Sequence, residues 1–146
     1  MCIRDRIYID NMSQQLVINP EQFNNSVLLS TNLFMDIISE LASGIVGSIG
    51  LIYSANMGDS FAMFEAAHGS APSITGQNKA NPTASILAGA WMAEYLGESD
   101  IKNAIFSATE QVINENKVAT SDIGGNAGTT QMTDAIVVYA KQKLRR

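Results

Sequence analysis

Two carboxylates one helical turn apart are the first feature of this sequence that could do chemistry. Asp36 and Glu40 stand in a segment with helical periodicity, so both side chains project from one face. Like charges at that spacing cost a helix roughly 0.2–0.5 kcal/mol, and no Lys or Arg occurs between Ile7 and Asn78 to offset them. Mg²⁺ or Mn²⁺ would offset them, because both ions bind carboxylate oxygens. The alternative is an ordinary solvated acidic face.

The single histidine is the second candidate. His68 stands in a loop of glycine and proline that follows an apolar segment. One histidine cannot build a metal site, and no spacing here supports a Ser-His-Asp triad. As a hydrogen-bond donor or a stacking surface, however, it suits a ligand-binding loop. Cys2 stands in a leader that does not match the rest of the chain, and it receives no catalytic role.

Alternating strands and helices must position these residues, which predicts an α/β fold. Ile7–Asp10 ends a strand or opens a helix, and two apolar runs predict strands at Ser26–Thr31 and Phe61–Ala66. Capping residues and periodicity predict four helices. The first is Leu33–Ser43, which Asn32 caps and Gly44 ends. The second runs from Asn81-Pro82 to Leu96 and is ended by Gly97. The third is capped by Ser99 or Asp100, and the fourth lies at the C-terminal end.

Composition excludes several classes of protein. The 146 residues are 46% hydrophobic and 16% charged, which excludes intrinsic disorder. No apolar run is long enough for a membrane span, and a net charge of −5 argues against nucleic acid as the main partner. One cysteine cannot form a disulfide framework. We therefore expect a cytoplasmic protein, or one of the mitochondrial matrix in a eukaryote.

Five motifs then resemble, in order, the C-terminal part of the β-decarboxylating dehydrogenases, the family of isocitrate, 3-isopropylmalate and homoisocitrate dehydrogenases. They are Asn32-Leu33-Phe34-Met35-Asp36-Ile37-Ile38-Ser39-Glu40, Gly47-Ser48-Ile49-Gly50-Leu51, Phe64-Glu65-Ala66-Ala67-His68-Gly69-Ser70-Ala71-Pro72, Ala80-Asn81-Pro82 and Asp122-Ile123-Gly124-Gly125-Asn126. The resemblance starts at about Ile7 and is closest to NAD-type isocitrate dehydrogenase. It implies the three-layer α/β fold of that family, with the N-terminal part missing.

The resemblance also implies a domain organisation. Residues 1–6 match nothing in the family and are interpreted as a non-native leader. Residues 7–45 correspond to the end of the smaller, dimer-forming domain, and residues 46–146 to the C-terminal part of the larger, nucleotide-binding domain. The family's catalytic tyrosine and lysine are expected upstream, so no catalytic residue is assigned and the chain alone is expected to be inactive.

Metal and cofactor residues follow from the same resemblance. The metal ligands would be Asp36, Glu40 and, from a partner subunit, Asp10, holding Mg²⁺ or Mn²⁺. The cofactor residues would be Glu65, His68, Gly69, Ser70, Ala71, Pro72, Ser73, Ile74, Asn81 and Asp122. NAD is expected rather than NADP, because Ser73, Ile74 and Gly125 stand where NADP-type members carry residues that include Lys and Arg, and a 2′-phosphate would meet no cation there.

The implied activity is oxidation of isocitrate by NAD with loss of CO₂, giving 2-oxoglutarate. The substrate would be a small 2-hydroxy acid, and the protein would be a homodimer or larger oligomer with a shared active site, without nucleic-acid or membrane partners. One alternative is a 3-isopropylmalate or related dehydrogenase. Another is an inactive nucleotide-binding or regulatory subunit, since Met35 and Glu40 replace the family's usual Gly and Asp.

Overall fold

A computed structural model describes residues 5–145, which form two compact units, one ending at Gly47 and the other beginning at Ser48. The predicted combination of helices and sheet is confirmed. The elements are α1 (Ile9–Ile18), α2 (Asn32–Val46), β1 (Tyr53–Met57), β2 (Ala62–Ala66), α3 (Thr83–Tyr95), α4 (Ser99–Glu115) and α5 (Thr129–Leu144). No helix in the described part is both long and apolar enough to cross a membrane. Cys2 and part of the predicted leader lie outside the described residues.

The first unit is a pair of helices. Met12 and Leu16 of α1 bury against Ile38 of α2, because residues spaced by about one turn share a helix face. Of the two possibilities for Ile7–Asp10, the structure takes the helix, which begins at Ile9.

The predicted strand at Ser26–Thr31 is wrong. This segment forms no strand, and Val27 and Leu29 are 94% and 91% exposed. A strand needs hydrogen bonds to a neighbouring strand, and the described part of this unit contains no other strand. An apolar run alone therefore does not make a strand.

The predicted ends of α2 are also wrong. Asn32 is the first helical residue, and Thr31 occupies the capping position without a side-chain cap. Gly44 lies inside the helix, which ends at Val46 with Gly47 as its C-cap. Gly47 has φ +113°, a left-handed conformation that glycine adopts without a Cβ penalty.

The second unit begins with an antiparallel hairpin. Tyr53 of β1 stands opposite Ala66 of β2, and α3 packs on both strands. The predicted strand is thus confirmed at Ala62–Ala66, whereas β1 was not predicted. Trp91 of α3 meets Tyr53 and Phe64 edge-on, each with ring centroids 5.9 Å apart. These contacts anchor the loop that follows β2.

Helices α4 and α5 form the main core of this unit. The buried side chains are Ala108, Val112, Met132, Ile136 and Ala140. The predicted helix after Gly97 is confirmed, although its caps are not, since α4 includes both Ser99 and Asp100 and is preceded by Glu98. The helix predicted from Asn81-Pro82 begins at Thr83 and ends at Tyr95, one residue before Leu96.

Candidate functional site

A cleft of about 390 Å³ lies at one side of the second unit, where four segments of the chain converge. Most of its lining is apolar, with a few polar groups among small side chains. The lining residues are Ser48, Ile49, Gly50, His68, Gly69, Ala71, Ile74, Lys79, Ala80, Asn81, Ser121 and Asp122. A cleft of this size and character suits part of a small organic ligand.

Six of the ten residues predicted to bind the cofactor line this cleft: His68, Gly69, Ala71, Ile74, Asn81 and Asp122. Ser70, Pro72 and Ser73 belong to the same loop but do not line it. Glu65 lies outside it, on β2, where its Oε1 accepts a hydrogen bond of 3.0 Å from Asn56 Nδ2 of β1.

The loop after β2 has an unusual backbone. Ala71 adopts the left-handed conformation at φ +44°, and a 3₁₀ turn covers Pro72–Ile74. A non-glycine residue in that conformation is uncommon and requires support from its surroundings. The turn places Ala71 and Ile74 on the cleft beside His68, which is partly buried.

One carboxylate oxygen connects three of the converging segments. Asp122 Oδ2 accepts hydrogen bonds from Ser48 Oγ at 2.5 Å and from Asn81 Nδ2 at 2.9 Å. Ser48 Oγ also accepts from the Gly50 N–H at 2.9 Å, and Asn81 Oδ1 accepts from the Thr83 N–H at 3.0 Å. Ser48 and Asn81 are almost fully buried. We call this group the Asp122 network.

The network favours the ionised form of the Asp122 carboxyl group. Partial burial raises the pKa of its carboxyl group, but hydrogen bonds from Ser48, Thr120 and Asn81 outweigh that effect. The net result is a pKa below the usual aspartate value. A charged acceptor makes stronger hydrogen bonds than a neutral one. The Asp122 carboxylate can therefore hold together the segments of Ser48 and Asn81, which are distant from it in sequence.

Two glycines permit the close approach of these segments. A Cβ on Gly50 would stand 2.8 Å from Asn81 Cβ, which is too close for two carbon atoms. A Cβ on Gly125 would overlap the backbone carbonyl of Ala119. Gly44 and Gly47, by contrast, have open space where a Cβ would be.

The stretch before α3 is tied to the start of α5. Asn78 has φ +56°, and its Oδ1 accepts from both the N–H and the hydroxyl of Thr130 at 3.0 Å. Thr129 donates its N–H to the Asn78 carbonyl and its hydroxyl to the Ala80 carbonyl. We call residues 78–81 the strap. These hydrogen bonds restrict the backbone of the strap on both sides of Lys79.

Sequence reasoning missed several lining residues, notably Ser48 and Lys79. Ser48 stands in one of the five motifs, and its partner Asp122 is 74 residues away in sequence. Lys79 could have been noticed from the sequence, since it is the only Lys or Arg between Ile7 and Ile101.

The predicted metal residues all belong to the first unit. Asp36 and Glu40 are exposed on α2, as their spacing predicts, and Asn32 Nδ2 donates to Asp36 Oδ2 at 3.4 Å. Asp10 is exposed in the first turn of α1. Among residues 5–145 no three acidic, histidine or cysteine side chains form a metal-binding group. The donor types suit a hard cation, yet one copy of the described chain offers at most the pair on α2.

Known proteins resemble both the sequence and the structure. The family described as isocitrate/isopropylmalate dehydrogenase matches residues 3–136. The isocitrate/homoisocitrate dehydrogenase of Thermus thermophilus is 47% identical over 135 residues, covering 92% of this chain and 40% of that protein. A mitochondrial NAD isocitrate dehydrogenase regulatory subunit from Dictyostelium discoideum is 41% identical over 143 residues, covering 97% of this chain and 40% of that protein.

Among solved structures, the isocitrate dehydrogenase of Methylococcus capsulatus aligns with a TM-score of 0.89 and 46% identity. The alignment covers 94% of this chain and 40% of that one. The chain thus spans about 40% of the length of these relatives. The resemblance inferred from the five motifs is confirmed, and the chain belongs to the isocitrate/isopropylmalate dehydrogenase family.

Proposed function

We propose that the cleft binds the adenosine part of NAD, and that the whole protein oxidises isocitrate with loss of CO₂. One observation supports this most strongly. The His68 loop, Asn81 and Asp122, assigned to the cofactor from the resemblance, converge on one cleft although they are far apart in the chain. The predicted site residues and the predicted division between residues 45 and 46 remain part of this proposal.

The cleft offers an adenosine group both apolar surface and hydrogen bonds. Ile49, Ala71 and Ile74 provide apolar surface for a flat base. Both heavy atoms of the Asn81 amide are already bonded within the protein, since Oδ1 accepts from Thr83 and Nδ2 donates to Asp122. Asn81 therefore has one N–H and one Oδ1 lone pair left for a ligand, and its main contribution is to hold the cleft in shape.

The two carboxylates of α2 are suited to binding one divalent cation together. Asp36 and Glu40 would supply oxygen ligands, and Asp10 of another copy would be a third. A bound Mg²⁺ or Mn²⁺ would act as a Lewis acid on the substrate's hydroxyl and carboxylate oxygens, and NAD would accept the hydride. This chain's own contribution would be to bind and orient both groups, and no general acid or base is assigned within it.

The 146-residue chain should bind NAD without catalysing the reaction. We expect isothermal titration calorimetry to detect NAD binding, because every lining residue of the cleft belongs to the second unit. We expect no isocitrate-dependent NADH absorbance at 340 nm. Absence of NAD binding by a folded chain would contradict the proposal. NADH formation by the pure chain would show that the catalytic groups need not come from elsewhere.

An inactive subunit is the second candidate, and two residues favour it. Met35 and Glu40 depart from the family's usual Gly and Asp, and the Dictyostelium relative is itself named a regulatory subunit. The longer Glu40 side chain would displace its carboxylate by about one methylene from the position suited to a near-octahedral ion. A third candidate keeps the same chemistry with 3-isopropylmalate as the substrate.

Calorimetric titration with Mn²⁺ distinguishes the active from the inactive form. In the active form, the chain binds Mn²⁺ and Asp36→Asn weakens binding about tenfold or more, because one of two carboxylates is lost. In the inactive form, the chain does not bind Mn²⁺ and Glu40→Asp restores binding. Glu21→Gln is the control, because Glu21 is an exposed carboxylate in the turn after α1 rather than on α2.

A further inference from the structure

Lys79 is the one Lys or Arg that lines the cleft within the described residues, and the neighbouring His68 is neutral in its ordinary form at pH 7. The only other formally charged lining residue is Asp122, whose Oδ2 already accepts two hydrogen bonds from the protein. The cleft surface is thus mostly apolar, apart from the Lys79 ammonium group and a carboxylate that is already hydrogen-bonded within the protein.

The position of the Lys79 backbone is restricted, because its neighbours in the strap are hydrogen-bonded to other parts of the second unit. On one side, Asn78 is bonded through its side chain and its carbonyl to Thr130 and Thr129. On the other side, the Ala80 carbonyl accepts from Thr129 and the Asn81 side chain is bonded at both ends. The backbone that carries Lys79 is therefore held from both directions, which places this residue at the edge of the cleft that it lines.

The charge of Lys79 has no partner within residues 5–145. The ion pairs there are Lys102 with Glu94 and Lys117 with Glu115, and no carboxylate lies within 4.0 Å of the Lys79 ammonium group. An unpaired ammonium group beside an apolar cleft is suited to an anionic part of the ligand.

We infer that Lys79 binds a phosphate group of the nucleotide held in this cleft, an inference that rests on the proposed function. The phosphate has two possible sources, the pyrophosphate that NAD and NADP share and the 2′-phosphate of NADP alone. The expectation that a 2′-phosphate meets no cation considered only Ser73, Ile74 and Gly125. Lys79 supplies a cation from another segment of the same cleft.

The test measures dissociation constants of the full 146-residue chain and of Lys79→Gln for adenosine, ADP-ribose and 2′-phospho-ADP-ribose. At about 50 mM NaCl, where the Debye length exceeds 10 Å, Lys79→Gln should weaken the binding of a phosphate-bearing ligand by roughly 3- to 10-fold. Adenosine, which has no phosphate, should bind equally well to both proteins. Lys79→Arg should retain most of the affinity, and Lys141→Gln, at an exposed position on α5, is the control for net charge.

The ligands distinguish the two sources. Equal losses for ADP-ribose and its 2′-phosphate derivative assign Lys79 to the pyrophosphate, whereas a loss confined to the derivative assigns it to the 2′-phosphate. Unchanged affinity for both ligands overturns the role of Lys79 and leaves the proposed function intact. Equal losses in Lys79→Gln and Lys141→Gln also overturn it. If the unsubstituted chain binds none of the three ligands, both the inference and the proposed function fail.

Discussion

Gly125→Ala is expected to destabilise the second unit by about 3 kcal/mol or more, the range typical of severe packing errors. The added Cβ would overlap the Ala119 carbonyl, a backbone group that no side-chain rotation can move away. The loop between these residues carries Asp122, so the cleft should be disrupted together with the fold. For a unit of this size the midpoint of thermal unfolding should fall by roughly 12 °C or more, as measured by circular dichroism.

Gly89→Ala is the matched control. Gly89 lies inside α3, and a Cβ there would meet no atom within 4 Å. Alanine should therefore stabilise the helix by about 0.5–1 kcal/mol, because it lowers the entropy of the unfolded chain. Equal midpoints for Gly125→Ala and the unsubstituted protein would show that the segment relaxes at little cost.

Asp122→Ala is expected to cost about 2–3 kcal/mol and to abolish detectable nucleotide binding. It leaves the Ser48 hydroxyl and the Asn81 amide, 9% and 7% exposed, without their shared acceptor. Asp122→Asn keeps the size and an oxygen acceptor, so it should cost less and retain weakened binding. Urea unfolding and NAD calorimetry measure the two effects. If Asp122→Ala bound NAD as tightly as the unsubstituted chain, the Asp122 network would have no role in shaping the cleft.

The same carboxylate predicts an acid-sensitive contribution to stability. Because the folded-state pKa of Asp122 is lowered, its stabilisation is fully present above the ordinary aspartate pKa and is lost as the pH falls through the folded value. The contribution should be below about 1 kcal/mol, because solvent screens a partly exposed carboxylate. Both Asp122→Ala and Asp122→Asn should lose it in urea unfolding measured between about pH 5 and pH 2.

Local patterns predicted the helices better than their ends. Apolar residues at helical spacing mark α4 and α5, because each helix buries one face in the core that the structure shows. Gly44 does not end α2 as its residue type suggests, since one glycine inside a helix costs only about 1 kcal/mol relative to alanine. The run at Ser26–Thr31 has the composition of a strand, but its sequence does not reveal whether another strand lies beside it.

Much of the candidate site could be predicted because a ligand loop has a local signature. His68, Gly69 and Pro72 mark a loop after a strand, and the five motifs identified the family. The hydrogen bond from Ser48 to Asp122 could not be predicted in this way, since it joins residues 74 positions apart. Lys79 stands out in the sequence as an isolated cation, but only the structure shows that it lines the cleft.

The sequence by itself determined the family and the chemical types of the candidate ligands, because motifs and residue types are local properties of the chain. Only the tertiary structure decided which of them meet. It brought Ser48, Asn81 and Asp122 together around one oxygen and placed Lys79 beside them, while Glu65 lay outside the cleft. Those proximities arise from packing between distant segments, through contacts such as the close approach that Gly50 and Gly125 permit.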